Sequence, residues 1–367
     1  MQPYTLAAAS VEGTVWRDVT KRASGAVLIA GAICGGVFAI AGAVIGTSSG
    51  LGRALLAIAI LAPGLALQEF WRVASYAASR ARTAAANDAY WAIGQIIAFG
   101  LLLWHGHPTV AESLFAWGAG AWLAAVIGIW QLSVMPRADL AAVRWARKRG
   151  AISAWFTLTS MTYTVGLLIV AVIIAAKLGN TDLGLYRAVQ NLFGPIQLLT
   201  IGAQAVFLPH LVRRIQRASS DGFREALSYS LLMAGSVTAY GLVMLLAAPT
   251  ILTKVFGPSF APAKVLVLPA VLAYIFDASN IGAALQLRAH ARGKQLAAAQ
   301  LVATLTRLVA VAALASTSGL LGAAWGLVIG SGGGAVTFWA VTRGAGRRHG
   351  IAEASGHLRV ADPEGRI

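Results

Sequence analysis

AESLFAWGAGAWLAAVIGIWQLSVMPRADLAAVRWARKRG, residues 111–150, sets two kinds of chain side by side. The first part, 111–132, is apolar almost throughout, and a bilayer core about 30 Å thick is crossed by about 20 such residues of helix. The second part, 133–150, carries Arg137, Arg144, Arg147, Lys148 and Arg149. An apolar span that runs into a basic loop is the signature of a crossing that ends in the cytoplasm. The loop itself has helix-forming composition and is expected to lie along the membrane surface.

Outward from this segment the pattern repeats. Apolar stretches lie at 24–46, 53–71, 88–104, 154–176, 184–209, 227–248, 263–287, 295–315 and 320–342, making ten with the first. The segments between them alternate between rich and poor in Lys and Arg. Basic residues gather in the N-terminal tail (Arg17, Lys21, Arg22), in 72–87 (Arg72, Arg80, Arg82), in 133–150, in 210–226 (Arg213, Arg214, Arg217, Arg224), in 288–294 (Arg288, Arg292, Lys294) and after 342. These segments hold 23 of the 29 basic residues, all on one side if every stretch crosses. The reading is an all-α polytopic membrane protein of about ten transmembrane helices, with both termini cytoplasmic. Residues 1–23 form a cytoplasmic N-terminal segment, 135–150 a basic cytoplasmic linker with four helices before it and six after, and 343–367 a polar tail expected to be disordered.

Composition agrees. The chain is 58% hydrophobic and 11% charged, with a mean hydropathy of +0.72, outside the soluble globular range. The net charge of +16 would suggest nucleic acid in a soluble chain. Placed at helix ends it points instead to topology and to anionic lipid headgroups as partners. The single cysteine, Cys34, rules out an intramolecular disulfide and reads as a small packing residue. The first stretch is too long for an ordinary signal core, and its loss would break the charge alternation.

One motif is a decoy. GTSSGLGR (46–53) imitates a dinucleotide-binding turn, but it joins two membrane-length stretches rather than a strand and a helix, so a turn is expected. Gly31 and Gly35 read as close helix packing. His105 and His107 are too few for a metal site, and no metal or cofactor is expected.

Polar residues at membrane depth are the functional candidates. In 184–209, Arg187, Gln190, Gly194, Gln197, Ile201 and Gln204 follow a 3,4,3,4,3 spacing that sets them on one helical face. That face suits either a water-filled cavity or interhelical hydrogen bonding. Ser153, Thr157, Ser160 and Thr164 share a face on the preceding helix, where backbone can also satisfy hydroxyls. Asp277 and Arg307 lie at matching depth, roughly 16–18 Å from the cytoplasmic helix ends. Opposite charges there imply an ion pair, either structural or holding an anionic substrate. Glu69 and Arg72 read as a pair near a helix end, and Asn87 and Asp88 as the cap that opens the 88–104 helix. With no Ser/His/Asp set, metal cluster or phosphate loop, the chain reads as a transporter rather than an enzyme.

LQEFWRVASYAASRARTAAANDAYWAIGQ (67–95) resembles the fourth-to-fifth helix region of Wzx-type flippases, the bacterial exporters of lipid-linked oligosaccharides in the MOP (multidrug/oligosaccharidyl-lipid/polysaccharide) superfamily. GLYRAVQNLFGPIQLLTIGAQAVFLPHLVRR (184–214) is similar to their eighth helix, and VFGPSFAPAKVLVLPAVLAY (255–274) and GLLGAAWG (319–326) to the entries of their tenth and twelfth. The resemblance is diffuse but covers nearly the whole chain. It implies a MATE-like, two-lobed fold in which the ten stretches correspond to helices three to twelve. Residues 24–134 would be an N-lobe short of two helices and 151–342 a full C-lobe. A late start, a degraded gene or a short form would each account for that departure. The implied activity is alternating-access flipping of a polyprenyl-diphosphate-linked glycan across the bacterial plasma membrane. Arg307 and Arg187 would hold the diphosphate, and a polysaccharide polymerase or glycosyltransferases would be possible partners. A MATE-like cation-coupled exporter and a non-transporting scaffold or remnant are the rivals.

Overall fold

The computed structural model describes residues 2–8, 11–106, 108–218 and 222–354. His107 and the tail beyond 354 lie outside the described residues, and 343–354 continue the last helix. No strand occurs among the described residues. Helices run α1 (Gln2–Ala8), α2 (Gly13–Ile45), α3 (Gly50–Ala77), α4 (Ala81–His105), α5 (Val110–Leu132), α6 (Leu140–Lys148), α7 (Gly150–Leu178), α8 (Asn180–Leu192), α9 (Gly194–Ala218), α10 (Phe223–Ile251), α11 (Val267–Ser279), α12 (Ile281–Ala289) and α13 (Gly293–Ala354). A π-helical turn, Leu252–Phe256, extends α10, and a 3₁₀ segment, Pro258–Leu266, leads into α11.

Eight helical segments among the described residues are long and apolar enough to cross a membrane. The last of them, Gly293–Gly344, contains a break at Ser318 and Gly319, with φ of −131° and 61°, so it is two arms. Helix α4 covers the remaining expected stretch but is less apolar, because Asn87, Asp88 and Gln95 interrupt it. Its Ile93, Ile96, Ile97, Leu101 and Leu103 are nonetheless exposed. So are Ile33, Val37, Ile40 and Val44 on α2. Rows of bare aliphatic side chains would be costly in water and are ordinary in lipid. This is a multi-pass membrane protein. Cys34 belongs to the exposed part of α2, so it is not the packing residue expected.

The chain divides into two compact units, one of Met1–Ser153 with Ala205–Arg213, the other of Ala154–Gln204 with Arg214–Ile367. In the first, small residues let backbones approach closely. A Cβ on Gly35 would stand 2.4 Å from the Ala59 carbonyl oxygen, and one on Gly31 2.8 Å from Pro63 Cα. Gly128 on α5 leaves room for the Trp71 indole, whose Nε1 donates to the Ala125 carbonyl at 2.9 Å. The GTSSGLGR segment is a turn: α2 ends at Gly46, with φ of 90°, and Ser49 caps α3 by accepting from Gly52 N. In the linker Asp139 caps α6, accepting from the amides of Ala141 and Ala142 at 2.9 and 3.1 Å. Those bonds hold its carboxyl below the ordinary range.

Asn87 and Asp88 do not cap a helix. Helix α4 begins six residues before Asn87, which places both within it. Asn87 is buried and its Nδ2 donates to the Ala124 carbonyl and to Gln131 Oε1 at 2.8 and 2.9 Å. Asp88 accepts from Gln68 at 2.9 Å, and Glu69 and Arg72 form the ion pair expected of them.

The second unit holds its broken helices together with side chains. The 184–209 stretch is not one helix: it breaks at Phe193, where Gly194 and Pro195 open α9. The 263–287 stretch breaks at Asn280. The freed Gly282 N–H is taken by Ser230 Oγ at 2.9 Å, and the Ser279 carbonyl by the Trp339 indole at 2.9 Å. Such partners are what permit a helix break at membrane depth.

Candidate functional site

The break at Asn280 puts Asp277 in the last turn of α11, and the first arm of α13 presents Arg307 opposite it. Arg307 Nη2 donates to both carboxylate oxygens of Asp277, at 2.8 and 3.1 Å, and to Ser331 Oγ at 3.0 Å. Arg307 is 8% exposed, whereas the Asp277 side chain retains 32%. Small residues make this possible. A Cβ on Gly330 would meet Arg307 Cα at 2.4 Å, and one on Gly326 would meet Val311 Cα at 2.7 Å. The second arm therefore lies directly on the backbone that carries Arg307.

Two compartments of the second unit meet at this pair. The larger, of about 350 Å³, is lined by Thr159, Ser160, Thr164, Thr200, Gln204, Asn280, Arg288 and Gln300 among others. The smaller, of about 70 Å³, is mostly apolar, with Leu167, Val189, Leu266, Ala270 and Leu327 in its wall. Tyr163, Gln197, Tyr274, Asp277 and Arg307 line both. They form the partition. Tyr274 stacks on Phe193 at 4.6 Å between ring centroids and accepts from Gln197 Nε2 at 2.5 Å. Helix α8 contributes Tyr186 and Gln190 to the smaller compartment, the amide of Gln190 donating to the Tyr186 hydroxyl at 2.7 Å.

The polar stripe of 184–209 is therefore divided by the break. Gln190 lines the small compartment, Gln197 both, and Gln204 the large one. Arg187 lines neither; it is exposed and donates to Gln190 Oε1 at 3.1 Å. Of the hydroxyl stripe on α7, Ser160 and Thr164 reach the large compartment, joined by Thr159.

Sequence reading missed the tyrosines and Arg288. Tyr274 lies three residues before Asp277 and Tyr163 three after Ser160, spacings that place each on a candidate face. Arg288 looked like an ordinary loop charge at a helix end. The structure turns it into the large compartment, where Nη1 donates to Gln204 Oε1 at 3.4 Å. No three metal-ligating side chains gather among the described residues.

No protein-family model matches the chain, and no curated protein matches it. Solved structures do. A MATE in its bent conformation superposes with a TM-score of 0.77 at 11% identity, over 97% of this chain and 84% of that one. A multidrug resistance MATE family transporter of the MOP superfamily, in its outward-facing conformation, matches with a TM-score of 0.71 at 13% identity, over 94% and 82%. A MOP superfamily transporter from Pyrococcus furiosus, described as having a binding pocket of reverse polarity that suggests a different function, matches at 0.73 and 11%, over 94% and 83%. The chain has the MATE-like fold of these transporters.

Proposed function

We propose that this chain is a membrane transporter of the MOP superfamily that moves an anionic lipid-linked oligosaccharide, carried on a polyprenyl diphosphate, across the bacterial plasma membrane by alternating access. The MATE-like fold supports transport. The observation that favours an anionic cargo is the large compartment, where two guanidinium groups, Arg288 and Arg307, face a single carboxylate, Asp277. A low-dielectric cavity with that balance attracts anions and repels cations. Broken helices beside the site, as at Asn280 and Phe193, are the usual construction of transporter binding sites.

The rival is a cation-coupled small-molecule exporter, with the partly exposed carboxylate of Asp277 as the cation site. Proteoliposomes separate the two. Outward movement of a fluorescent polyprenyl-diphosphate glycan, unaffected by an added lipophilic cation, is expected. Cation efflux without glycan movement would reverse the assignment. Exchange of the charges in Asp277→Arg/Arg307→Asp should retain more glycan movement than either Ala variant, because each single change leaves a charge unpaired at membrane depth. Equal loss in all three would show that pairing is not what matters.

A further inference from the structure

Among the described residues Arg288 has no counter-charge. It stands at the C-terminal end of α12, half-buried in the wall of the large compartment. The helix dipole favours a cation there, but it does not spend the guanidinium's donors. Nη1 makes one long bond to a neutral amide, at 3.4 Å to Gln204, and Nε is buried with no hydrogen-bond partner. Among the described residues no carboxylate forms an ion pair with it. Among the described residues Asp277 is the one carboxylate lining the compartment, and both its oxygens accept from Arg307. Asp277 and Arg288 stand on either side of the break at Asn280, the first in α11 and the second in α12. Arg288 therefore forms a second cationic group in the wall of the same compartment, apart from the Asp277–Arg307 pair.

Much of the remaining polar wall is hydroxyl and amide: Thr159, Ser160, Thr164, Thr200, Asn280 and Gln300. Such a lining suits a polyhydroxylated group. Its volume, about 350 Å³, is at the small end of ligand pockets, which run from about 300 to 1,000 Å³. That admits a sugar-sized group and not a whole oligosaccharide. We infer that the large compartment of the second unit is a recognition pocket for one oxyanion-bearing sugar, with Arg288 holding the oxyanion and the hydroxyl and amide wall holding the ring. This rests on the proposed anionic glycan cargo and adds to it: the pocket reads a single acidic residue of the headgroup, and it lies wholly within one unit. Arg288 carries the charge specificity, while Arg307 stays engaged with Asp277.

The test is binding to the full chain in detergent, followed by thermal unfolding, with glucose, glucuronate and glucose 1-phosphate as probes. At least one acidic sugar is expected to stabilise saturably while glucose does not. Glucuronate points to a carboxylate on the glycan, and glucose 1-phosphate to the phosphate at the lipid linkage. Arg288→Gln should weaken the acidic probe by about tenfold or more, and Arg288→Lys should retain most of its binding. Ligand-free Arg288→Gln should unfold at the same or a higher temperature, because it loses an unpaired charge. Stabilisation by glucose alone, by none of the probes, or equally in wild type and Arg288→Gln would overturn the inference, as would a lower ligand-free unfolding temperature for Arg288→Gln. Glycan movement in proteoliposomes is read separately, so failure of the cargo assignment would leave the binding result standing, and the reverse.

Discussion

At the scale of the residue, Asp277 and Arg307 were legible because each is expensive alone and both lie nearly equally far along the sequence from the basic 288–294 segment. Depth can be counted along a sequence, and charge is unambiguous. Arg288 was not legible, since a basic residue after an apolar stretch has an ordinary explanation in topology and only the fold shows which way it turns. Gly330 was illegible for a different reason. Its role is an absence, the space into which the backbone of Arg307 fits. Gly330→Ala would set a methyl group 2.4 Å from Arg307 Cα, closer than any real contact. Overpacking of this kind costs about 1–3 kcal/mol, and the arms of α13 must part to relieve it. We expect a lowered unfolding temperature together with impaired transport. Gly344→Ala, where nothing lies within 4 Å, should leave both unchanged.

At the scale of the element, apolar length predicted where helices run but not where they break. The break in 184–209 has a sequence cause in Gly194 and Pro195, and the 3,4 spacing of its polar face obscured it. That spacing assumes one continuous helix, so it grouped Arg187 with residues whose compartments it does not share. The break at Asn280 has no proline. It exists because partners from other helices receive the freed backbone groups, and tertiary partners leave no periodic trace. The dependence is testable. Ser230→Ala removes the acceptor of the buried Gly282 N–H, and an unsatisfied buried donor costs about 1–3 kcal/mol. Thermal unfolding should fall accordingly. A cysteine introduced at Asn280, in the wall of the large compartment, should react faster with a polar thiol reagent in the Ser230→Ala background, where the break is less firmly held. An unchanged unfolding temperature would mean that Ser230 plays no part in holding the break.

At the scale of the molecule, charge alternation and helix breaks answer different questions. Breaks shape the compartments, whereas the loops set which side of the membrane each compartment can open to. The basic segments keep their charge at helix ends: Arg80 stands at the N-cap position of α4 and Arg82 lies in its first turn, whereas the turn between α2 and α3, GTSSG, carries none. If basic loops face the cytoplasm, Ser48 and Ser79 lie on opposite sides of the membrane, and Arg288, which belongs to the basic 288–294 segment, marks the inward side of the large compartment. Cys34 is the only cysteine of the chain, so Cys34→Ser gives a clean background. In it, Ser48→Cys should be labelled in intact cells by a membrane-impermeant maleimide, and Ser79→Cys only after permeabilisation. The opposite result would invert the topology, turn the Arg288 side of the compartment outward, and make uptake rather than export the direction to test. Labelling of both positions from the same side would mean that α3 does not cross, and that the ladder of apolar stretches overstates the number of spans.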